Sequence, residues 1–419
     1  MRAARPLKAR PALAEETAVK LTAFSPEHLR LDATLPFGVR DGSGTLLLQA
    51  GARIVNNDQL AYLRSKTLFA DEQESAEWRR KLGASMGEML RQNAPLKAIA
   101  AVRPPQDSRD GLVTHDSSVP DHWESLAVSL DAALREARPE AEFIARVRHL
   151  QERASRLGQR HVDSSLYHLI HTAGHSMEKY SSHHALLVML VGEQAAMLLG
   201  WSDAAVCTLG CAALTMNVAM AGLQDRLADS DLPLTAATRA IIDRHPEQGA
   251  ALLRDAGVDD VLWCEAVRLH HDRGDAERAW ADLPEERRMA RLLRRADIFT
   301  AKISRRRSRA PMSPVQAARE ACLGADGVPD EVGGALLRAT GLYPPGSFVE
   351  LANGERGIVV SRGRRANLPW VASLVASSGM PLGEPALRDT IETRYAVRAA
   401  VAAASIKVRP DHQRILALR

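Results

Sequence analysis

This sequence has no CxxC pair, little net charge and no apolar run of signal-peptide length among its first twenty residues. The four cysteines form no CxxC pair, and Cys207 and Cys211 are spaced to share one helix face, which indicates reduced core residues. The chain has 55 basic and 51 acidic residues, so its net charge is only +4 and nucleic acid is not the expected partner. The first twenty residues contain no apolar core of signal-peptide length, so we expect a cytoplasmic protein.

Long hydrophobic runs are also scarce. The most apolar stretch, residues 185–201, is interrupted by Glu193 and is too short to span a bilayer comfortably, so no membrane partner is expected. The chain does have 46% apolar residues, the share of an ordinary globular protein. Its 419 residues are enough for two or three domains.

The first third of the chain predicts a small domain followed by a linker. Residues 1–22 are expected to form a disordered tail. Residues 23–75 alternate short apolar runs with turn signals, and Asn57 or Asp58 can cap a short helix, which predicts a small α+β domain. Residues 76–122, which contain Pro104-Pro105 and lack sustained periodicity, predict a helix and an exposed linker.

The remainder predicts a mainly α protein. Apolar residues recur at helical spacing over residues 123–340, as at Leu126, Leu130 and Leu134, which indicates a helical bundle. In residues 341–390, Asn353-Gly354 between two apolar runs predicts a β-hairpin, so this segment is expected to be a small β-extension. Residues 391–419 are expected to be a C-terminal tail.

Several histidines fall on helices of this bundle. His184 begins an apolar helix, His245 is expected to open another, the pair His270-His271 ends a third, and Asp297 lies beside an apolar stripe. Imidazole and carboxylate hold divalent iron, manganese or zinc, and bundle cores are a common place for such sites. Any one of these histidines is more often an ordinary hydrogen-bonded residue, so the spacing leaves both readings open.

One local cationic run, around Arg305, Arg306 and Arg307, could bind phosphate groups of a ligand. A solvated helix end explains the same run equally well.

The order of these motifs resembles the HD-GYP family, bacterial metal-dependent phosphodiesterases that hydrolyse cyclic di-GMP. The resemblance covers about residues 180–351. Residues 212–220 lie where the family reads AALLHDIGK, residues 245–250 resemble HPExGA, residues 270–272 lie where it has HHE, and residues 296–301 resemble ADxxxA. The resemblance implies an HD-domain-like bundle and a set of metal ligands: His184, His245, His270, His271 and Asp297.

The sequence departs from the family pattern at the positions expected to bind metal ions and carry out hydrolysis. Met216 and Asn217 replace the His-Asp pair, Met220 replaces a lysine, and Tyr180 stands where many members carry a ligating Glu. The GYP loop is missing as well. Methionine is a poor ligand for a hard metal and an amide lacks carboxylate charge, so the two-metal arrangement is expected to be lost.

Three hypotheses follow from this pattern. The first is a catalytically degenerate signalling protein that acts as a sensor or adaptor for a cyclic dinucleotide and for protein partners, with no metal or one divalent metal. The second is an active phosphohydrolase with a rearranged, mononuclear metal site. The third treats the histidines as structural and assigns the role to the β-containing flanks as docking surfaces.

Overall fold

The computed structural model describes residues 118–135, 141–274, 278–323, 327–402 and 405–419, together with parts of 21–75. The chain divides into two compact units, Met1–Thr114 and His115–Arg419, and the division falls within the predicted linker. The predicted tail up to residue 20 and the linker over 76–117 lie outside the described residues.

The described part of the first unit contains a four-stranded antiparallel sheet and the helix α1 (Asn57–Arg64), as the turn signals predicted. The strands are β1 (Leu21–Phe24), β2 (Val39–Arg40), β3 (Leu46–Leu48) and β4 (Leu68–Asp71), in the order β1-β4-β2-β3. The sheet begins two residues inside the predicted tail, because Leu21 pairs with Asp71.

The second unit begins with the predicted helical bundle. Its helices are α2 (Val119–Arg135), α3 (Ala141–Arg160), α4 (Val162–His175), α5 (Tyr180–Leu198), α6 (Asp203–Thr215), α7 (Ala221–Ala228), α8 (Ala236–Asp255), α9 (Val261–Leu269), α10 (Glu285–Ile303), α11 (Pro314–Cys322) and α12 (Glu331–Thr340). Helix α2 starts four residues before the expected Trp123. The Ser118 amide donates to the Asp121 carboxylate and the Asp121 amide donates to the Ser118 hydroxyl, as in a capping box. The mainly α fold class is confirmed.

Helix α5 lies at the centre of the bundle. It is buried along nearly its whole length, including the polar Ser182, His184 and Glu193, and packs against α4, α6, α10 and α12. A helix that is apolar on all sides must be surrounded by other helices, and this placement fixes where its histidines point.

The C-terminal extension is larger than the predicted hairpin. It is a five-stranded antiparallel sheet in the order β8-β7-β6-β5-β9, built from β5 (Phe348–Leu351), β6 (Arg356–Ser361), β7 (Trp370–Val375), β8 (Pro381–Asp389) and β9 (Val397–Ala400). The predicted turn joins β5 to β6, with Gly354 at a φ of 86° that suits glycine.

The predicted tail over 391–419 is wrong. Strand β9 pairs with β5, and the short helix α13 (His412–Leu416) buries Ile415 completely. The alanine-rich stretch carries no clear alternation, so its pairing depends on the partner strand rather than on a local signal.

One described stretch, Asp203–Ala228, is long and apolar enough to cross a membrane by length and composition alone. Within the fold, 67% of its most apolar window is buried, as core helices also are.

Candidate metal centre

Four helices carry the predicted ligand residues to one region of the bundle. His184 lies on α5, His245 on α8, His270-His271 directly after α9, and Asp297 on α10. Helix α8 packs on α9, α9 on α10, and α10 on α5. The structure therefore collects the five residues, but it divides them into a group of three and a pair.

His245 lies in the middle of its helix, which corrects the expectation that it opens one. Helix α8 starts at Ala236, where the Thr235 side chain accepts a hydrogen bond from the Thr238 amide, and Pro246 lies inside the helix. Because Pro246 has no N–H, the carbonyl of Ile242 loses its helical donor. His245 Nδ1 lies 2.5 Å from this carbonyl oxygen and takes the vacant acceptor.

The group of three is His245, His270 and His271, called the histidine triad below. One nitrogen of each ring lies within 4.8 Å of the other two. His270 Nδ1 lies 2.6 Å from the Val267 carbonyl, one of the unpaired carbonyls at the end of α9. His245 and His270 are buried, whereas His271 is exposed, so the triad opens to solvent on one side.

The hydrogen bonds of the triad determine where its protons lie. A ring nitrogen that faces a carbonyl oxygen must donate, so His245 and His270 each carry the proton on Nδ1 and present a lone pair on Nε2. These two Nε2 atoms lie 3.2 Å apart. Two lone pairs cannot hydrogen-bond each other, and the arrangement suits a cation placed between them.

Burial keeps the triad neutral. Burial, together with the charge of the nearby His271, lowers the pKa of His245 to about 4 and that of His270 to about 3. The ring of His271 is partly desolvated by its neighbours although the residue is exposed, and this desolvation also lowers its pKa. Neutral imidazoles at pH 7 are ready to act as metal ligands, since a metal has no proton to displace.

His184 and Asp297 form a separate pair. His184 Nε2 lies 2.7 Å from Asp297 Oδ1, and the other ring nitrogen of His184 is buried without a hydrogen-bond partner in the described part of the chain. Burial raises the pKa of Asp297, but the hydrogen bond and charge of His184 outweigh it and hold the pKa at about 2. Asp297 is thus an ionised carboxylate hydrogen-bonded to His184, and its charge also interacts with His270 and His271 of the triad.

Tyr180 covers this pair. Its ring stacks on His184 with centroids 5.6 Å apart, and Arg306 donates to the tyrosine hydroxyl from Nη2 at 2.9 Å. The preceding residue, Lys179, has a φ of 46°, unusual for a residue other than glycine, and it starts helix α5. The position where a carboxylate ligand is expected is therefore filled by a stacked aromatic ring.

The residues at the His-Asp positions offer neither an imidazole nor a carboxylate. Met216 is completely buried at the end of α6, and Asn217 is buried at the start of the short 3₁₀ helix Val218–Met220. Met220, where a lysine is expected, is half-buried.

Two of the three arginines in the predicted cationic run contact other side chains of the protein. Arg306 contacts Tyr180, and Arg307 forms an ion pair with Asp229 at 2.7 Å. Arg305 is exposed, and its backbone amide donates to the Ala173 carbonyl. Sequence reasoning missed a second cationic group, Arg287, Arg291 and Arg294 on α10, although their spacing of four and three residues places them on one helix face.

No family model matches the chain. A cyclic di-GMP phosphodiesterase of Pseudomonas aeruginosa is 26% identical over 193 residues, which are 46% of this chain and 47% of that protein. The chain thus spans about half the length of this relative. A solved structure, an HDG"Y"P protein of Bdellovibrio bacteriovorus, covers 76% of this chain and 98% of its own at 14% identity and a TM-score of 0.44. The first relative confirms the HD-GYP resemblance that the motifs indicated.

Proposed function

We propose, from this resemblance to HD-GYP phosphodiesterases, that residues 118–340 form a signalling domain that binds a cyclic dinucleotide and no longer hydrolyses it. In this proposal the protein is a cytoplasmic sensor or adaptor, which passes the bound state to a protein partner.

The observation that carries the proposal is that Tyr180 and the buried Met216 lie at two positions where metal ligands are expected. A two-metal centre needs ligands on both ions, with negative charge to offset them. Here the ring of Tyr180 stacks on His184, Met216 offers only a thioether sulfur, and Asn217 offers an amide oxygen without the charge of a carboxylate. Without the second metal ion, the attacking and leaving oxygens of phosphodiester hydrolysis would no longer both be stabilised by a metal.

The triad supports the binding of one divalent ion. Its donor set is three neutral imidazoles, two of them with Nδ1 held by carbonyls and Nε2 unprotonated, which fits iron, manganese or zinc. A metal there would supply a Lewis acid for phosphate oxygens. The chain itself holds the rings in place, and the exposed His271 leaves one side of the triad open to a ligand.

The cationic run is proposed to contribute to ligand binding through its accessible member. Arg305 is exposed, whereas Arg306 and Arg307 already have partners in Tyr180 and Asp229. A dinucleotide that used all three arginines would have to break those contacts.

A second candidate function is an active phosphohydrolase with a mononuclear site. The open side of the triad and its unprotonated Nε2 atoms favour it. This alternative keeps the substrate class and changes only the outcome of binding.

The test is calorimetric titration of the purified protein with cyclic di-GMP, with and without added manganese, together with a cleavage assay in manganese or ferrous iron. We expect binding without turnover. Turnover that disappears in His270→Ala and persists in His149→Ala, an exposed histidine on α3, would establish the active alternative. Absence of both binding and turnover would contradict the sensor proposal.

A further inference from the structure

A second charged feature adjoins the triad. The end of α9 and one face of α10 enclose a shallow cleft lined by Arg273, Arg287, Arg291 and Arg294, called the arginine cleft below. The carboxylate that lines it is Asp272. The charges of Arg273 and Arg294 act on His271, so the cleft lies beside the exposed member of the triad.

The positive charge of the arginine cleft is only partly balanced. Asp272 is bonded to Arg287 at 2.6 Å, and Arg291 donates to the Arg278 carbonyl at 3.0 Å. Within the described residues, neither Arg273 nor Arg294 makes an ion pair or a side-chain hydrogen bond. Among the described residues, these two guanidinium groups therefore have no ion-pair partner, although the charge of Asp297 acts on Arg294.

The surroundings of Arg294 disfavour its positive charge. Its side chain is half-buried, and burial together with the charges of Arg273, Arg295 and Arg291 lowers its pKa. Arg295 is itself paired with Asp330, so that carboxylate is already engaged. A partly buried cation surrounded by like charges gains most from an anion that enters from solvent.

We propose that the arginine cleft binds the terminal phosphate of a nucleotide. The guanidinium fork binds phosphate oxygens in a bidentate manner. A terminal phosphate carries close to two negative charges at neutral pH, which matches the two unpaired arginines, whereas each phosphate of a cyclic dinucleotide carries one. The cleft is open at the exposed Arg273, so sugar and base can remain in solvent.

This proposal rests on the residues of the cleft and does not depend on the triad holding a metal. Metal-free protein, prepared by dialysis against a chelator, is titrated calorimetrically at low ionic strength with inorganic phosphate, with GMP and with guanosine. We expect phosphate and GMP to bind, guanosine not to bind, and added sodium chloride to weaken both bound ligands, since charge drives the interaction.

The variants are Arg294→Gln, Arg273→Gln and a matched control, Arg364→Gln, which removes one exposed cation from the β-extension. Each cleft variant is expected to weaken GMP binding by about tenfold or more, and the control by less than twofold. Arg273 is exposed, so its variant tests the cleft even if Arg294→Gln fails to fold.

Three results would overturn the assignment. Unchanged GMP affinity in Arg273→Gln would place the nucleotide elsewhere. Guanosine binding as tightly as GMP would mean that the phosphate is not recognised. Binding of inorganic phosphate without GMP would show a site for the free ion and not for a nucleotide. Metal content of the variants, measured in parallel, separates failure of the cleft from failure of the triad.

Discussion

His245 Nε2 lies 3.2 Å from His270 Nε2, and both rings hold the Nδ1 proton on a backbone carbonyl. Each carbonyl is available for a reason visible in the sequence. Pro246 cannot donate to the carbonyl of Ile242, and Val267 lies in the last turn of α9, where carbonyls lack helical partners. Backbone geometry thus fixes both tautomers before any ligand is present.

The first prediction concerns metal content. Protein purified with manganese, ferrous iron or zinc is expected to hold about one ion per chain, and His245→Ala or His270→Ala is expected to lose it, because each removes one of three donors. Elemental analysis after desalting gives the stoichiometry. His149→Ala, which removes an exposed histidine, should retain the ion. One ion retained in His270→Ala would place the metal outside the triad.

The second prediction restores the missing ligands. Met216→His and Asn217→Asp together with Tyr180→Glu are expected to raise the metal content towards two per chain, because the triple change adds donors and negative charge and removes the ring stacked on His184. The double variant that keeps Tyr180 is the matched control and is expected to bind less of the second ion. A stoichiometry that stays at one in the triple variant would show that the loss extends beyond these positions.

Features set by nearby residues could be predicted from the sequence. The period of apolar residues located the bundle, and Asn353-Gly354 located the turn between β5 and β6, because both are local signals. The motif order also identified every residue of the triad. These positions needed no knowledge of how distant helices pack.

Features set by distant residues could not be predicted. The contact between Tyr180 and Arg306 joins residues 126 positions apart. Strand β9 is recognisable only from its partner β5. The arginine cleft likewise needs the end of α9 to meet α10, although the spacing of its α10 arginines was visible.

The third prediction concerns Glu193, an acid in the core of the bundle. The Glu193 side chain accepts a hydrogen bond from Gln151 at 2.8 Å. The carboxylate lies against Gly210, where a Cβ atom would overlap it. Burial raises its pKa from 4.5 to about 7. The folded protein therefore binds the proton more tightly than the unfolded chain, and the free energy of unfolding falls as the pH rises from about 4.5 to 7.

Glu193→Gln is expected to keep the hydrogen bond and remove the charge. At pH 8 it should increase the free energy of unfolding by roughly 2 kcal/mol, and at pH 4.5 it should change it little. Urea unfolding at the two pH values, followed by circular dichroism, measures the difference. An equal gain at both pH values would attribute the effect to packing and not to the buried charge.

The fourth prediction concerns a histidine cluster where α13 meets α4. The ring of His171 stacks on His175 with centroids 3.9 Å apart and lies 4.4 Å from His412. His412 Nδ1 bonds the Tyr167 hydroxyl at 2.8 Å, which ties the C-terminal helix to the bundle. Burial, and after it the charges of His175, His412 and His168, lower the pKa of His171 to about 3.

Because the pKa of His171 is about 6.5 in the unfolded chain and about 3 in the folded protein, the unfolded chain binds its proton first as the pH falls. The free energy of unfolding should therefore decrease from about pH 6.5 towards pH 3, by up to about 1.4 kcal/mol per pH unit from this residue. His171→Phe, which keeps a ring in the stack, is expected to flatten this dependence, and His149→Phe is not. Thermal melting at pH 7.5 and pH 5 measures the slope, and an unchanged slope in His171→Phe would assign the acid sensitivity to other histidines.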